Sequence, residues 1–340
     1  MPFNLLTTII GSVIVFSLVI FLHELGHFTV AKLCGVKVNE FSIGMGPKLF
    51  QRQRGETKYS LRALPVGGYV AMEGEEENSE DLRSFNNVSV LKRIAIVLAG
   101  VFMNFVLAII CFSILFFYIG FGTNIIDRVM ENSPAMEAGL KKNDRILKVN
   151  NIETKDLLSI SREIEKSGDE PLSLEILRDG KSSQKTLKAE YSKEENRFLL
   201  GFTAIRQRNL FNAIGEGFNA TKGVVKAIFS IFDIIKEGKF SGEMISGPIG
   251  VISIIGQETS KGIIYLIQII GIISANLAVM NLLPIPGLDG GKFALLIIEG
   301  IRGKAISQKV EANLTMIGYA FLLSLMIYVT IFNDLGRLFK

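Results

Sequence analysis

The sequence predicts a polytopic α-helical membrane protein with four transmembrane helices, a region of β-strands and one inserted α+β domain. Of its 340 residues, 49% are hydrophobic, and the mean hydropathy of +0.38 exceeds that of typical soluble proteins. A bilayer core needs about 20 mostly apolar helical residues. Four stretches meet this requirement: 4–26, 94–120, 262–283 and 314–332.

The distribution of Lys and Arg predicts how these spans are oriented. The first stretch has neither the basic start nor the small-residue cleavage site of a signal peptide, so we expect it to be retained as a span. Short loops rich in Lys and Arg stay on the cytoplasmic side. The segment 28–93 carries ten such residues and the segment 284–313 carries four, whereas the chain after residue 332 carries two. Both termini are therefore predicted to lie outside the cytoplasm.

The stretch FLHELGHF, residues 21–28, brings two imidazoles and a carboxylate to the end of the first predicted span. On a helix, His23 and His27 lie one turn apart on the same face, where both can bind one zinc ion, and Glu24 lies beside the water at the metal. These are the only two histidines in the chain, and ionisable groups at membrane depth are costly. The alternative is a pair of packing histidines with an incidental glutamate.

A third zinc ligand must come from elsewhere in the chain, because catalytic zinc usually takes three protein ligands and leaves one position for water. Cys34 lies about 10 Å beyond His27 along a continuous helix, and Cys111 lies in the middle of an apolar span. Asp289 is the better candidate. It follows the third span in NLLPIPGLDGGK, where prolines end the helix and glycines let the backbone turn. The alternative is an ordinary turn aspartate.

The segment 38–72 alternates polar and apolar residues between Gly-rich breaks, which predicts short strands and turns. An exposed strand edge could pair with an extended substrate peptide, and we expect Tyr69 and Val70 at that edge. The alternative is a cytoplasmic loop folded on itself. Two asparagines, Asn104 and Asn281, are predicted to line a wet cavity at the metal and to bind the substrate there; the alternative is hydrogen bonding between helices.

Residues 124–204 are more charged, and they combine strand-like alternation with one helical period in KDLLSISREIEKSG. Asp179-Gly180 predicts a hairpin turn. The stretch SPAMEAGLKKNDRILKVNN closely resembles the signature of PDZ domains, with Asn143 and Asn151 in two glycine positions. The resemblance implies one PDZ-like domain, which by the predicted topology lies outside the cytoplasm. Its groove could bind extended C-termini, or the domain could act as a steric gate.

Four domains are predicted along the chain. Residues 1–123 form an N-terminal membrane part and 124–204 the PDZ-like domain. Residues 205–261 form an amphipathic helix with a linker, and 262–340 form a C-terminal membrane part. The helix pattern in TKGVVKAIFSIFDIIKEG suits either the outer membrane interface or packing against the inserted domain.

Four motifs together resemble the bacterial site-2 proteases, which are RseP-like intramembrane zinc metalloproteases of peptidase family M50. These motifs are HELGH, LPVGGYV at 64–70, LAGVFMNF at 98–105 and NLLPIPGLDGG at 281–291. The resemblance covers nearly the whole chain. It implies a membrane-associated, re-entrant β-hairpin within the strand region. The chain departs from the family at Val101, where the second span of the family usually has proline.

The resemblance also implies roles for individual residues. His23, His27 and Asp289 would bind zinc, Glu24 would be the catalytic acid and base, and Asn281 would help to place the substrate.

The implied function is that of an intramembrane zinc endopeptidase that cleaves transmembrane segments of single-span membrane proteins. An upstream site-1-type protease would trim these substrates, and anti-sigma factors or remnant signal peptides would be typical of them. The expected location is the bacterial cytoplasmic membrane, with the lipid bilayer as partner and the active site toward the cytoplasmic face. No basic patch with interleaved aromatic residues indicates nucleic acid.

Two other functions compete with this one. The first is a catalytically silent membrane scaffold with a structural metal site and a peptide-binding PDZ domain. Glu24 and a three-ligand site argue against it, because structural zinc usually has four ligands and needs no base. The second is a metal transporter, which would require further ionisable groups along the spans.

Overall fold

The computed structural model describes residues 5–75, 79–194, 196–238 and 246–336. The chain divides into two compact units, one formed by residues 1–115 and 214–340 and the other by 116–213. The predicted PDZ-like domain at 124–204 falls within the second unit. The predicted domain boundaries stay a prediction.

The described helices are α1 Leu5–Leu33, α2 Val90–Ile119, α3 Pro134–Glu137, α4 Leu157–Ser167, α5 Leu210–Lys236, α6 Pro248–Lys261, α7 Ile263–Leu282, α8 Asp289–Arg302 and α9 Gln308–Val329. The described strands are β1 Val38–Arg54, β2 Thr57–Met72, β3 Phe121–Val129, β4 Arg145–Val149, β5 Ile152–Glu153, β6 Pro171–Arg178, β7 Lys181–Lys188, β8 Glu190–Ser192, β9 Arg197–Leu199 and β10 Phe202–Gln207. A 3₁₀ turn at Phe85–Asn87 precedes α2, and a π-helical turn at Thr330–Leu335 continues α9.

Four of the described helices are long and apolar enough to cross a membrane, namely α1, α2, α7 and α9 with its π-helical turn. Each of the four apolar stretches is therefore confirmed as a helix. The first helix is longer than predicted and continues to Leu33. It ends just before Gly35, which adopts a φ of 82°. The HELGH motif therefore lies inside a helix rather than at its end.

The strand region forms two long strands instead of several short ones. Residues 40–43 of β1 pair on one side with 68–71 of β2 and on the other side with 58–61 of the same strand, because both strands change register along their length. The second half of β1 then pairs with the beginning of β2. The result is a sheet of four strand segments in which 68–72 forms one edge.

Two buried clusters hold the helices of the first unit together. In one, Val15 and Val19 of α1 pack with apolar residues of α2, α6 and α7. In the other, Ala31 near the end of α1 packs with residues of β1, α2 and α8. The HELGH motif lies between these clusters along α1, so packing fixes the helix on both sides of the motif.

The predicted linker after the amphipathic helix contains a further helix, α6, which the sequence analysis missed. Gly11 and Gly256 let α1 and α6 approach closely, because a Cβ at Gly256 would collide with Thr8 and a Cβ at Gly11 with Thr259. Asp334, which is buried, accepts hydrogen bonds from the backbone amides at the start of α6, at 2.8 Å from Gly247 and 3.0 Å from Ile249. This carboxylate caps a helix start that lacks a cap of its own.

The second unit is built on an antiparallel sheet with the strand order β10-β3-β4-β6-β7, and β5 pairs with β4. The predicted hairpin is confirmed, since β6 and β7 pair around Asp179 and Gly180, which have φ values of 50° and 77°. Asn143 and Asn151 adopt φ values of 71° and 65°. Asparagine tolerates this left-handed region better than most residues, which explains why it can replace glycine there.

A buried ion pair fixes the turn before β4. The Asp144 side chain is 1% exposed and accepts hydrogen bonds from Arg178 Nε at 2.6 Å and from the Lys141 amide at 2.8 Å. Burial alone would raise the pKa of the Asp144 carboxyl, but these partners hold it below its usual value.

We expect Asp144→Asn to lower the free energy of unfolding of this unit by about 1.5 to 3 kcal/mol, the range for hydrogen bonds to charged groups. Because the folded pKa is depressed, this contribution is present above the unfolded pKa and is lost as the pH falls through the folded pKa. Limited proteolysis of the full chain in urea, at several pH values, measures the difference. Asp127→Asn is the control, since its pair with Lys142 is largely exposed. A difference between wild type and Asp144→Asn that persists unchanged at pH 2 would contradict this account.

Candidate metal centre

Three predicted ligands from distant parts of the chain converge at one point. His23 Nε2 lies 3.1 Å from His27 Nε2. Asp289 Oδ2 lies 3.2 Å from His23 Nε2 and 3.5 Å from His27 Nε2. The three ligand atoms all lie within 4.8 Å of one another, and His23 is buried while the other two residues are partly buried.

These separations fit a tetrahedral zinc ion. Zinc binds nitrogen and carboxylate oxygen at about 2.0 to 2.2 Å, so two tetrahedral ligands are about 3.3 Å apart. Asp289 Oδ2 is buried, and no N–H or O–H group donates to it. An acceptor that is buried without a donor calls for a cation. The residues therefore fit the metal that the sequence predicts.

The chain around Asp289 is shaped to bring its carboxylate to α1. Asp289 is the first residue of α8, where the helix dipole favours a negative charge. Gly291 allows the close packing of this turn, since a Cβ there would lie 2.8 Å from Pro286 Cα. The ionised form of this carboxylate is the one that binds a metal.

The outer nitrogen of each imidazole contacts α2. His27 Nδ1 lies 2.8 Å from the carbonyl oxygen of Ile96, so Nδ1 carries the hydrogen and Nε2 is free for a metal. His23 Nδ1 lies 3.2 Å from the side-chain amide of Asn104, which is fully buried. Rotating that amide by about 180° would turn its oxygen toward a protonated Nδ1. That oxygen, Oδ1, is buried without a hydrogen-bond partner.

Gly100 makes the contact between α2 and the imidazoles possible. A Cβ at this position would collide with His27 Nε2 and would lie 2.7 Å from His23 Cε1. Gly26 plays the matching part on α1, because a Cβ there would lie 2.8 Å from Met103 Cγ. Gly100 belongs to the motif LAGVFMNF, but its role was not predicted from the sequence. The spacing of Gly100 and Asn104, one turn apart, is the signal that could have identified the face of α2 at the site.

Glu24 lies between the metal centre and the sheet edge. It is partly buried, and a Cβ at Gly68 of β2 would lie 3.3 Å from Glu24 Cγ. The edge segment 68–72 pairs with β1 on one side, and no described strand pairs with its other side. A carboxylate beside the ligands and an unpaired strand edge therefore adjoin each other.

The other predicted residues have distinct surroundings. Asn281 Nδ2 lies 3.5 Å from His23 Nε2, so its side chain is at the metal centre. The Tyr69 hydroxyl accepts a hydrogen bond from Arg62, and Val70 packs in the cluster around Ala31. The two side chains of the edge therefore already have partners within the protein, which leaves the strand backbone as the group available for pairing. The substrate-binding roles stay predictions.

An ion pair near the site was not predicted. Lys292, on the first turn of α8, lies 2.7 Å from Glu75, which belongs to the acidic run EGEEENSED at residues 73–81. In the same run, Glu73 lies 3.1 Å from Lys37. Residues 76–78 of this run lie outside the described residues. A cavity of about 560 Å³ adjoins Asp289, Glu75 and Lys292.

Comparison with known proteins identifies the family. The model of "Peptidase family M50" matches residues 11–325. The chain belongs to peptidase family M50. The predicted resemblance to the site-2 protease group of this family is thereby confirmed, as is the prediction of a metalloprotease.

Two relatives match this M50 chain over nearly its whole length. A protein of Clostridium acetobutylicum named "Putative zinc metalloprotease" is 39% identical over 325 residues, which covers 95% of this chain and 96% of the relative. "Regulator of sigma-W protease RasP" of Bacillus subtilis is 30% identical, with coverage of 98% and 99%.

A solved PDZ domain of Listeria monocytogenes covers 25% of this chain and 87% of its own chain, with 16% identity and a TM-score of 0.23. The PDZ-like fold of residues 124–204 stays a prediction.

We expect Gly100→Ala to reduce the zinc content per chain and the peptidase activity together, because the added methyl group would occupy the space of the imidazoles. Glycine to alanine in a helix otherwise stabilises by about 0.4 to 1 kcal/mol. Gly223→Ala in α5 is the matched control, since a Cβ there meets nothing within 4 Å. The measurement is the zinc content of the two purified variants. Equal zinc content would show that the imidazoles do not need the space beside Gly100.

Proposed function

We propose that this zinc metalloprotease cleaves transmembrane segments of single-span membrane proteins. The observation that carries the proposal is the convergence of His23 and His27, inside the apolar helix α1, with Asp289 at the start of α8. A soluble peptidase would have no need to bury such a site among helices of membrane length.

The chain's own residues divide the chemistry among them. His23, His27 and Asp289 would hold the zinc ion, and Asn104 and the Ile96 carbonyl would orient the imidazoles. When bound, zinc lowers the pKa of water toward about 7 and polarises the scissile carbonyl. Glu24 takes the proton from the attacking water and passes it to the leaving amine. Asn281 lies close enough to His23 to contact the substrate backbone at the reacting peptide bond.

Hydrolysis at this depth needs a supply of water. The cavity beside Asp289 has charged groups in its lining, including Glu75 and Lys292. Such a lining tolerates water, whereas the apolar faces of the spans do not. This supports water entry along the α8 side of the site.

A helical substrate must be unwound before attack, because its carbonyls are hydrogen-bonded within the helix. The unpaired edge at 68–72 supports strand addition as the means, since it would give an extended substrate new backbone partners. The contact between Gly68 and Glu24 would bring that substrate next to the catalytic base. Tyr69 and Val70 would take part through their backbone.

We infer the substrates and the cellular location from the family. One relative is named "Regulator of sigma-W protease", which supports anti-sigma factors as one substrate class beside remnant signal peptides. An upstream site-1-type protease would trim the substrates first. We place the protein in the bacterial cytoplasmic membrane, with both termini and the PDZ-like domain outside and the active site toward the cytoplasmic face.

Glu24→Gln should lower the cleavage rate of a single-span substrate by about 10²- to 10⁴-fold, the usual contribution of a general base, while the zinc content stays at one per chain. Purified protein in detergent, incubated with a single-span substrate, provides the measurement. Glu56→Gln is the control. Glu56 forms an ion pair with Lys32 and is not one of the residues at the metal centre, so this variant should cleave at the wild-type rate. Equal rates for Glu24→Gln and wild type would favour the silent scaffold instead.

Proline at the sheet edge should weaken substrate binding without changing the zinc content. Successive residues of a strand direct their N–H groups to opposite sides, so one of Tyr69→Pro and Val70→Pro removes an outward donor and the other breaks pairing with β1. We expect at least one of them to reduce cleavage severalfold with unchanged zinc content. Gln51→Pro, on the opposite edge of the sheet, is the control and should cleave normally. Normal cleavage by both edge variants would exclude strand addition here.

A further inference from the structure

A second cavity, of about 520 Å³, lies where α2 begins, α8 ends and α9 begins. Arg93 of α2 and Glu299 of α8 line it and form an ion pair with side chains only 9% and 12% exposed. Gln308 and Lys309, the first two residues of α9, line the cavity on the side of that helix. This cavity adjoins the one at Asp289, with which it shares Lys292, Leu295, Gln308 and Glu311, but Asp289 itself does not line it.

The polar atoms without partners in this cavity are donors. The two terminal nitrogens of Arg93 donate to Glu299, whereas the buried Nε has no hydrogen-bond partner. The amide nitrogen of Gln308 is also buried without a partner. Ser307, at the start of α9, makes no side-chain cap to the helix. A ligand that fills the cavity must therefore present acceptors, and a helix N-terminus favours an anionic one.

The charges around the cavity allow such a ligand. Lys292 also lines it but already contacts Glu75 at 2.7 Å, and Glu311 lies 3.9 Å from the same lysine. The Arg93–Glu299 pair is neutral as a unit. Lys309 is exposed at the rim, and Arg302 and Lys304 are exposed in the segment that leads to it. The cations that remain available therefore lie on the side where α9 begins.

The position of the cavity favours one class of anion, the acidic membrane lipids. Arg93 is in the first turn of the α2 span, and Gln308 is the first residue of the α9 span. If both helices cross the bilayer, as the proposed function requires, the cavity lies at the level of the lipid headgroups. Basic pockets between transmembrane helices at this level are sites for acidic lipids.

We propose that this cavity binds the phosphate group of an acidic membrane phospholipid. The phosphate oxygens accept hydrogen bonds from Arg93 Nε, from the Gln308 amide and from the first turn of α9, and Lys309 contributes charge at the rim. The acyl chains would then follow the apolar surface of α9, most of which is not buried within the protein. The proposal needs the membrane placement of the proposed function but none of its peptidase chemistry.

The test measures lipid binding to the full-length protein in nanodiscs. Phosphatidylcholine is compared with a mixture containing phosphatidylglycerol, and both the bound lipid by native mass spectrometry and the thermal unfolding temperature are recorded. We expect phosphatidylglycerol to bind and to raise the unfolding temperature of wild type. Gln308→Glu, which replaces a donor with a like charge, should weaken that binding at least about tenfold, the equivalent of one charge-assisted hydrogen bond.

Matched variants make the test decisive. Gln308→Leu removes the donor without adding charge and should also weaken binding. Lys226→Glu, at an exposed position of α5, changes charge elsewhere and should keep wild-type binding. Each variant is compared with its own phosphatidylcholine sample, and zinc content confirms folding.

Three results would overturn the proposal. One is equal binding by wild type and both Gln308 variants, which would leave water as the content of the cavity. Another is an equal loss in Lys226→Glu, which would indicate general attraction to a charged surface. The third is stabilisation by inorganic phosphate in phosphatidylcholine nanodiscs to the same extent as by phosphatidylglycerol, which would assign the site to free phosphate.

Discussion

The close approach of α2 to α1 is the constraint on which the rest of this structure depends. Gly26 and Gly100 have no Cβ to hold the two helices apart, so α2 lies directly against the imidazoles. Two consequences follow from the same approach. The Ile96 carbonyl fixes the tautomer of His27, and the Asn104 amide faces the outer nitrogen of His23. A metal site needs such outer contacts to hold its ligands in one orientation, and here a single helix provides both.

The third ligand reaches this pair because α8 is anchored at both ends. Near its beginning Lys292 contacts Glu75, which follows the strand region, and near its end Glu299 pairs with Arg93 of α2. Arg93 and Glu299 are both largely buried, and removing one partner of such a pair costs far more than the pair contributes as a whole. The position of Asp289 therefore depends on contacts of α8 with the chain after the sheet and with α2.

Local patterns in the sequence were sufficient for some of these features and not for others. Apolar runs identified the four long helices, HELGH predicted two metal ligands that the fold brings together with Asp289, and Asp179-Gly180 identified a hairpin. Each of these depends on residues near one another in the chain. The double pairing of β1 with β2 depends on which strands meet, and alternation does not encode partners. Asn104 illustrates the same limit, because its sequence context fits a substrate contact as well as a packing contact, and only the tertiary arrangement sets it against His23.

Under the proposed function, the position of the strand region beside Glu24 would meet a requirement of the membrane. An unwound substrate segment exposes backbone N–H and C=O groups, and each one left unpaired in an apolar environment costs several kcal/mol. Among the described residues, the segment 68–72 offers strand backbone that is paired on one side only. It adjoins Glu24 through Gly68, where a side chain would collide with the Ser42 carbonyl at 2.9 Å. The same small residue that lets the edge strand approach the base would therefore let an unwound peptide be paired and cut at one place.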